Sequence, residues 1–269
     1  SDPDPRLRIG HRPALFGRLE GSDESTACNP VGQMTVLYLL RHSAIDWPEP
    51  DTFIGQTDPP LSVEGRRQAL AWRDPIGETG FSAVWSSDLK RCAETAALVF
   101  GGGQAQIRFS SGLREIHLGG WDGIPRRRIR EGHPDLWEAR GGDLGGFRPP
   151  GGESFRDLQQ RVVRQVGCLA AEDPGPVCIV THAGVIRVLI CHCLGIPLAN
   201  LFRIRLDLAR LSVVAMASGR VELLGLNLPA PGSGELPGRP PAGTAGPFST
   251  TTRRGSLFRD CATLPESGK

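Results

Sequence analysis

The stretch Thr35 to Asp58 reads TVLYLLRHSAIDWPEPDTFIGQTD, and its opening residues decide the fold. Val36 to Leu40 form a short apolar, β-favouring run that stops abruptly at Arg41-His42. A buried parallel strand reads this way when its carboxyl end opens onto a site, since both faces are covered and no polar alternation is needed. Ligands in open α/β sheets gather just beyond the carboxyl ends of strands, so a guanidinium and an imidazole placed there are candidates for chemistry on an anion. A second run, Pro176 to Thr181, ends in the same manner at His182-Ala183-Gly184 and passes into the helical pattern Val185 to Ile190.

Outward from these two anchors, strand and helix patterns alternate. Ser62 is a plausible N-cap for a helix over Val63 to Leu70. Phe81, Ala83, Val84 and Trp85 suggest a strand ending at Ser86-Ser87-Asp88. Leu89, Cys92, Ala96 and Val99 then recur at helical spacing, which puts Arg91 in a first turn. Ile107 to Phe109 reads as another strand and precedes a loop from Leu113 to Trp121. The polar segment Pro125 to Pro150 reads as a helical insertion followed by a glycine-rich loop. Phe155, Leu158, Val162, Val166 and Leu169 mark a long amphipathic helix. Leu211 to Ala217 and Arg220 to Leu226, about Ser218-Gly219, read as a β-hairpin. The expectation is an α/β fold: three layers, α/β/α, with a mainly parallel sheet and a helical insertion beside the active site.

Residues 34–228 carry this pattern and are expected to form the one main domain. Residues 1–33 lack sustained periodicity and read as a poorly ordered N-terminal extension, with Met34 a candidate natural start. Residues 229–269 are too rich in proline and glycine to support packing and read as a disordered tail. A net charge of +2 in 269 residues, with basic side chains scattered, argues against nucleic-acid or membrane partners. No apolar run approaches the ~18 residues of a membrane span and the N-terminus lacks a signal-peptide core, so a cytoplasmic protein is expected. The seven cysteines are odd in number and several lie in apolar patterns, as reduced core cysteines do, so no disulfide framework is built from them. Homo-oligomerisation is left open.

Six motifs occur in order: Arg41-His42; GQTDPPLS at 55–62 ahead of EGRRQA at 64–69; SSDLKR at 86–91; LRE at 113–115; PGGES at 150–154; and THAG at 181–184. Together they resemble the histidine phosphatase superfamily, with its phosphoglycerate-mutase-like fold, over roughly residues 34–227. The resemblance implies His42 as a nucleophile carrying the phosphoryl group as phosphohistidine. Arg41, Arg91 and His182 would surround the transferred oxygens, stabilising developing charge with no metal and no cofactor. Glu115 would protonate the leaving alcohol and then activate water, with His182 counted among the catalytic groups.

Bland readings stand beside these. A lone histidine is more often structural, and Glu115 could be a surface carboxylate next to Arg114. Arg91 in a first helical turn opposes the helix dipole, which a bound anion would relieve. His117, Glu153 and His133 divide evenly between site edge and surface, while Arg126, Arg127, Arg128 and Arg130 form either a lid or a solvated helix face. Cys191-His192-Cys193 resembles a metal cluster, but adjacent helical side chains diverge, so no metal is assigned.

The family pattern is broken twice. Ser43 stands where glycine is usual, so a required positive φ would strain it, although its hydroxyl could add a donor. The asparagine usual about six residues beyond the nucleophile is absent near Pro48, and Gln56 is the candidate to supply that phosphate contact. GQTDPPLS, GGWDG, PPGGES and HAGVIR are most similar to the α-ribazole phosphatase branch, implying a small-molecule phosphate ester, such as α-ribazole 5'-phosphate in cobalamin biosynthesis. A phosphoglycerate-mutase-type transferase and a catalytically weakened phosphate-binding module are the alternatives, with a protein phosphatase as a third option needing an open site. No decisive extra anion site for a mutase is visible in the sequence.

Overall fold

The computed structural model describes residues 34–231, apart from Pro48, Glu78, residues 103–105 and residues 218–219. The expected extension at 1–33, nearly all of the expected tail, the hairpin tip and the position of the missing asparagine therefore lie outside the described residues.

Chain order is β1 (Met34–Arg41), α1 (Val63–Leu70), α2 (Arg73–Gly77), β2 (Ala83–Ser87), α3 (Lys90–Phe100) and β3 (Ile107–Ser110). There follow α4 (Arg126–Gly132), α5 (Pro134–Gly142), α6 (Phe155–Glu172), β4 (Pro176–Thr181), α7 (Ala183–Leu194), β5 (Leu211–Ala217) and β6 (Arg220–Leu228). The sheet runs β3-β2-β4-β1-β5-β6. Its first four strands pair in parallel and the β5-β6 hairpin adds an antiparallel edge, so the sheet is mixed. Four parallel strands give the sheet one edge where carboxyl ends collect, and the functional residues converge there.

The pleat of β1 sorts its apolar residues between two cores. Leu37 and Leu39 face a cluster built with Leu158 and Val162 of α6 and Ile186 and Leu189 of α7. Val36, Tyr38 and Leu40 face the other, with Ala69, Trp72 and Ile76 from the α1-α2 region and Cys92, Ala96 and Val99 of α3. The three layers follow from that alternation. α6 starts at Ser154, whose hydroxyl accepts from Asp157 N–H while the Asp157 carboxylate accepts from Ser154 N–H. This reciprocal cap fixes where the helix begins, and with it the glycine-rich loop and Glu153 just before it.

Some elements differ from expectation. α2 was not anticipated, because Pro75 and Gly77 within five residues leave no period to read. The loop from Leu113 to Trp121 includes 3-10 turns at Ser111–Leu113 and Gly119–Trp121. Packing continues past the anticipated domain boundary, since Ala230 lies against the second cluster. Cys92, Cys178, Cys191 and Cys193 are free. Cys168 is disulfide-bonded, which corrects the reading of the cysteines as reduced core residues. It sits half-exposed beside the buried stripe of α6 instead of within it. Among the described residues no helix is long and apolar enough to cross a membrane.

Candidate active site

Register places the first catalytic candidates side by side. Arg41 on β1 pairs with Thr181 on β4, so the next residues, His42 and His182, emerge together at the carboxyl edge. His42 N–H donates to the Thr181 carbonyl at 2.9 Å, and the His42 carbonyl accepts from Ala209 N–H at 3.2 Å. Their imidazole centroids are 5.3 Å apart.

His42 is 6% exposed, and its Nδ1 lies 2.9 Å from the Ser43 carbonyl oxygen. A carbonyl can only accept, so Nδ1 carries the proton and Nε2 keeps its lone pair. Burial, reinforced by the Arg41 and Arg91 charges, holds the imidazole well below its ordinary range and so neutral. This is the protonation state and tautomer that a nitrogen nucleophile needs.

Two guanidiniums share the cavity with His42 and act on its charge. Arg91, 1% exposed, donates to the carbonyls of Thr57 at 2.8 Å and Gly55 at 2.6 Å. Arg41 donates to the Leu206 carbonyl at 2.6 Å. In both side chains the Nε–H is buried without a hydrogen-bond partner. Unpaired buried donors are costly, and both side chains belong to the lining of the same cavity. Burial pushes Arg41 down to about 10, which leaves it charged at neutral pH. His182 lies a layer deeper and is fully buried, with Nε2 2.9 Å from Ser87 Oγ and 3.3 Å from Cys92 Sγ. Burial first, then the Arg91 and His42 neighbours, keep it neutral as well.

Glu115 comes to the same cavity from the loop after β3. Its carboxylate accepts from Ile116 N–H at 2.9 Å and from Gly184 N–H at 3.0 Å. A Cβ at position 184 would stand 2.1 Å from Glu115 Oε1, so glycine is what lets α7 approach the carboxylate. Arg114 does not neutralise Glu115, for its guanidinium pairs with both oxygens of Asp88 at 2.7 and 2.5 Å. The surface ion pair considered for Glu115 is therefore not formed.

The cavity encloses about 310 Å³. Arg41, His42, Arg91 and Glu115 form its polar floor, and Ile45, Phe53, Leu118, Phe147, Phe155 and Leu208 are among its apolar walls. Cations and rings alternate around its rim. Arg126 lies 5.1 Å from the Phe53 centroid, Arg140 5.5 Å from Phe53 and 5.6 Å from Phe202, and Arg187 5.4 Å from Phe202. Burial lowers Arg140 and Arg187 from the ordinary guanidinium range.

Other candidates fall elsewhere. Gln56 does not line the cavity; its amide donates to the Glu115 carbonyl at 3.2 Å, so it braces the loop that carries Glu115 instead of facing the space where a phosphate contact was expected of it. Ser43 also lies outside the lining, and its buried hydroxyl has no partner. Asp51, Ala209 and Asn227 are the non-glycine residues at positive φ among those described, so Ser43 carries no left-handed strain. Beneath it, a Cβ on Gly65 would lie 1.9 Å from the Ala44 carbonyl, so α1 packs hard against the turn that follows His42. Glu153 reaches the cavity wall, whereas His117 and His133 are exposed. Of the arginine run, only Arg126 lines the cavity; Arg127 pairs with Glu131 at 4.0 Å and Arg128 with Glu49 at 3.7 Å at the surface. Cys191 is buried within α7, and no group of three or more His, Cys, Asp or Glu among the described residues is placed to hold a metal ion.

Sequence reasoning passed over Asp122. Its two carboxylate oxygens accept from the N–H groups of Gly55, Gln56 and Thr57, each at 2.8 Å, and this turns the Gly55 and Thr57 carbonyls toward Arg91. Ser87, Cys92 and Gly184 carried no role in the sequence reading, Ser87 and Gly184 lying within motifs and Cys92 on the apolar face of a helix. Their shared signal is proximity to Arg91 and His182.

The histidine phosphatase superfamily (branch 1) model matches residues 37–229. The chain belongs to this family. Glucosyl-3-phosphoglycerate phosphatase of Mycobacterium tuberculosis is 34% identical over 173 residues, covering 61% of this chain and 77% of the relative. Adenosylcobalamin/alpha-ribazole phosphatase of Salmonella typhimurium is 28% identical over 192 residues, 71% of this chain and 95% of the relative. Among solved structures, native mycobacterial glucosyl-3-phosphoglycerate phosphatase superposes with a TM-score of 0.67 at 30% identity, covering 73% of this chain and 100% of the other. These phosphatase relatives support a phosphatase.

Proposed function

We propose that this protein hydrolyses phosphate monoesters of small metabolites through a covalent phosphohistidine, without a metal. The observation that carries the reading is the buried His42, its Nδ1 against the Ser43 carbonyl, in a cavity whose lining also includes Arg41, Arg91 and Glu115; burial and the two guanidiniums favour its neutral form. His42 Nε2 attacks phosphorus, the bond to the leaving oxygen breaks, and protonated Glu115 supplies that oxygen's proton. Arg41 and Arg91 stabilise the charge on the phosphoryl oxygens, with His182 completing the set from below. Glu115, now ionised, takes a proton from water, which displaces His42 from phosphorus and releases inorganic phosphate.

Release of phosphate from a small aryl phosphate, measured with a chelator for the parent and for His42→Ala, tests this directly. Chelator-resistant turnover lost in the variant is the expected result, and equal activity in both would refute the mechanism. α-Ribazole 5'-phosphate and glucosyl-3-phosphoglycerate, drawn from the names of the relatives, are the substrates to compare next. The rim favours one second reading: Arg126, Arg140 and Arg187 offer cations for another anionic group, as a phosphoglycerate-mutase-type transferase would use. Phosphoryl exchange between phosphoglycerates outpacing phosphate release would establish it. The weakened-module reading loses part of its motive, because Ser43 is unstrained.

A further inference from the structure

The arm that presents Glu115 has no regular structure after the turn at Ser111–Leu113, yet four successive backbone carbonyls in it are held by side-chain donors. The Leu113 carbonyl accepts from Thr181 Oγ1 at 2.8 Å. Arg161 of α6 serves the other three, donating from Nη1 to Gly112 at 3.0 Å and Arg114 at 3.1 Å, and from Nη2 to Glu115 at 3.4 Å. The same guanidinium grips both oxygens of Glu153, at 2.9 and 2.8 Å. Glu153 in turn accepts from His117 N–H at 2.9 Å, beyond the far end of the arm. One planar cation thus joins residues 112, 114, 115 and, through Glu153, 117. Lysine cannot reproduce this, because it lacks the guanidinium's fixed fork of donors.

Arg161 itself does not line the cavity, so it has no direct contact with the reacting groups through that surface. What it controls is the path of the backbone that aims the Glu115 carboxylate, and a misplacement of about 1 Å can cost a catalytic group most of its effect. We propose that Arg161, clamped by Glu153, is a positioning residue that sets proton transfer by Glu115. This rests on the reading of Glu115 as the acid-base group.

The test uses leaving groups that differ in their need for a proton. Nitrophenolate departs as a stable anion, whereas an alkyl alkoxide must be protonated, so loss of the general acid penalises alkyl esters selectively. kcat/KM would be measured for 4-nitrophenyl phosphate and for glycerol 3-phosphate with the full chain and its Arg161→Met, Arg161→Lys, Glu153→Gln and Glu115→Gln variants. In Arg161→Met the alkyl ester is expected to lose on the order of 10²-fold and the nitrophenyl ester less than about 5-fold, with Arg161→Lys intermediate. Equal losses on both esters, or none, with Glu115→Gln selective would overturn the positioning role. A Glu115→Gln variant without selectivity would instead overturn the assignment of the acid itself. Thermal unfolding identifies any variant that does not fold; if that is Arg161→Met, the ratio of the two losses in Arg161→Lys and Glu153→Gln decides the question.

Discussion

The floor of the cavity and its rim are assembled by opposite means. On the floor, backbone register positions the two imidazoles: Arg41 opposite Thr181 fixes His42 beside His182, and both rings are buried. Around the rim, Arg126, Arg140 and Arg187 lie against rings, with Arg126 also paired to Asp51 and Arg187 donating to the Ile204 carbonyl, and they belong to helices of different origin, two from the insertion and one from the body. Sheet register tolerates no gradual adjustment, because slipping a strand by one residue turns every side chain to the other face. Cation-ring contacts are each worth only about 0.5–2 kcal/mol and accept altered geometry. The floor is thus suited to one reaction, and the rim to change with the leaving group.

That contrast can be broken by mutation. His42→Ala removes the nitrogen proposed to attack phosphorus and should lower kcat/KM on the order of 10⁵-fold for every phosphate ester tried, measured by phosphate release. Arg91→Lys keeps a charge but loses the fork, and a drop of roughly 10²-fold independent of the leaving group is expected. Arg140→Met on the rim should behave differently. A carboxylated aryl phosphate should lose about tenfold in kcat/KM while the uncharged aryl phosphate changes little, the size of one charged contact. A rim variant that cost both substrates equally would erase the distinction between the two regions.

The smallest effect concerns stability. His42 and His182 are held below the ordinary imidazole value of 6.5, so the unfolded chain takes up protons there that the native state does not. Their contribution to stability is present above that value and is lost progressively as pH falls below it and through the lower folded-state value. Urea unfolding of the parent should weaken faster with acidification than that of His42→Asn, by up to about 1.4 kcal/mol per pH unit for the one histidine removed. Parallel slopes would show that burial of His42 does not depress its protonation.

The floor was legible in sequence because strands that end in polar residues mark both the element and its exit: Arg41-His42 and Thr181-His182 followed from local pattern. Glu115 came from motif order, and its setting was hidden. Asp122 and Gly55 are separated by 67 positions, and Arg161 and Gly112 by 49, and no periodicity reports a hydrogen bond across such distances. Arg140 gave no signal either, since an arginine on a polar helix looks solvated until Phe53 and Phe202 arrive from other segments. Gln56 was misplaced for a related reason: position in a motif gave its neighbourhood and left open which way the amide would turn.

The missing Cβ at Gly184 has a consequence in time. In the mechanism proposed above, Glu115 serves twice, as acid in the first half-reaction and as base in the second, and a methyl group 2.1 Å from its Oε1 would displace it in both. With a leaving group that needs no proton, only the second half would suffer. Gly184→Ala would then be an enzyme that loads and does not discharge, giving one burst of nitrophenolate per active site and leaving the phosphoryl group stored on His42.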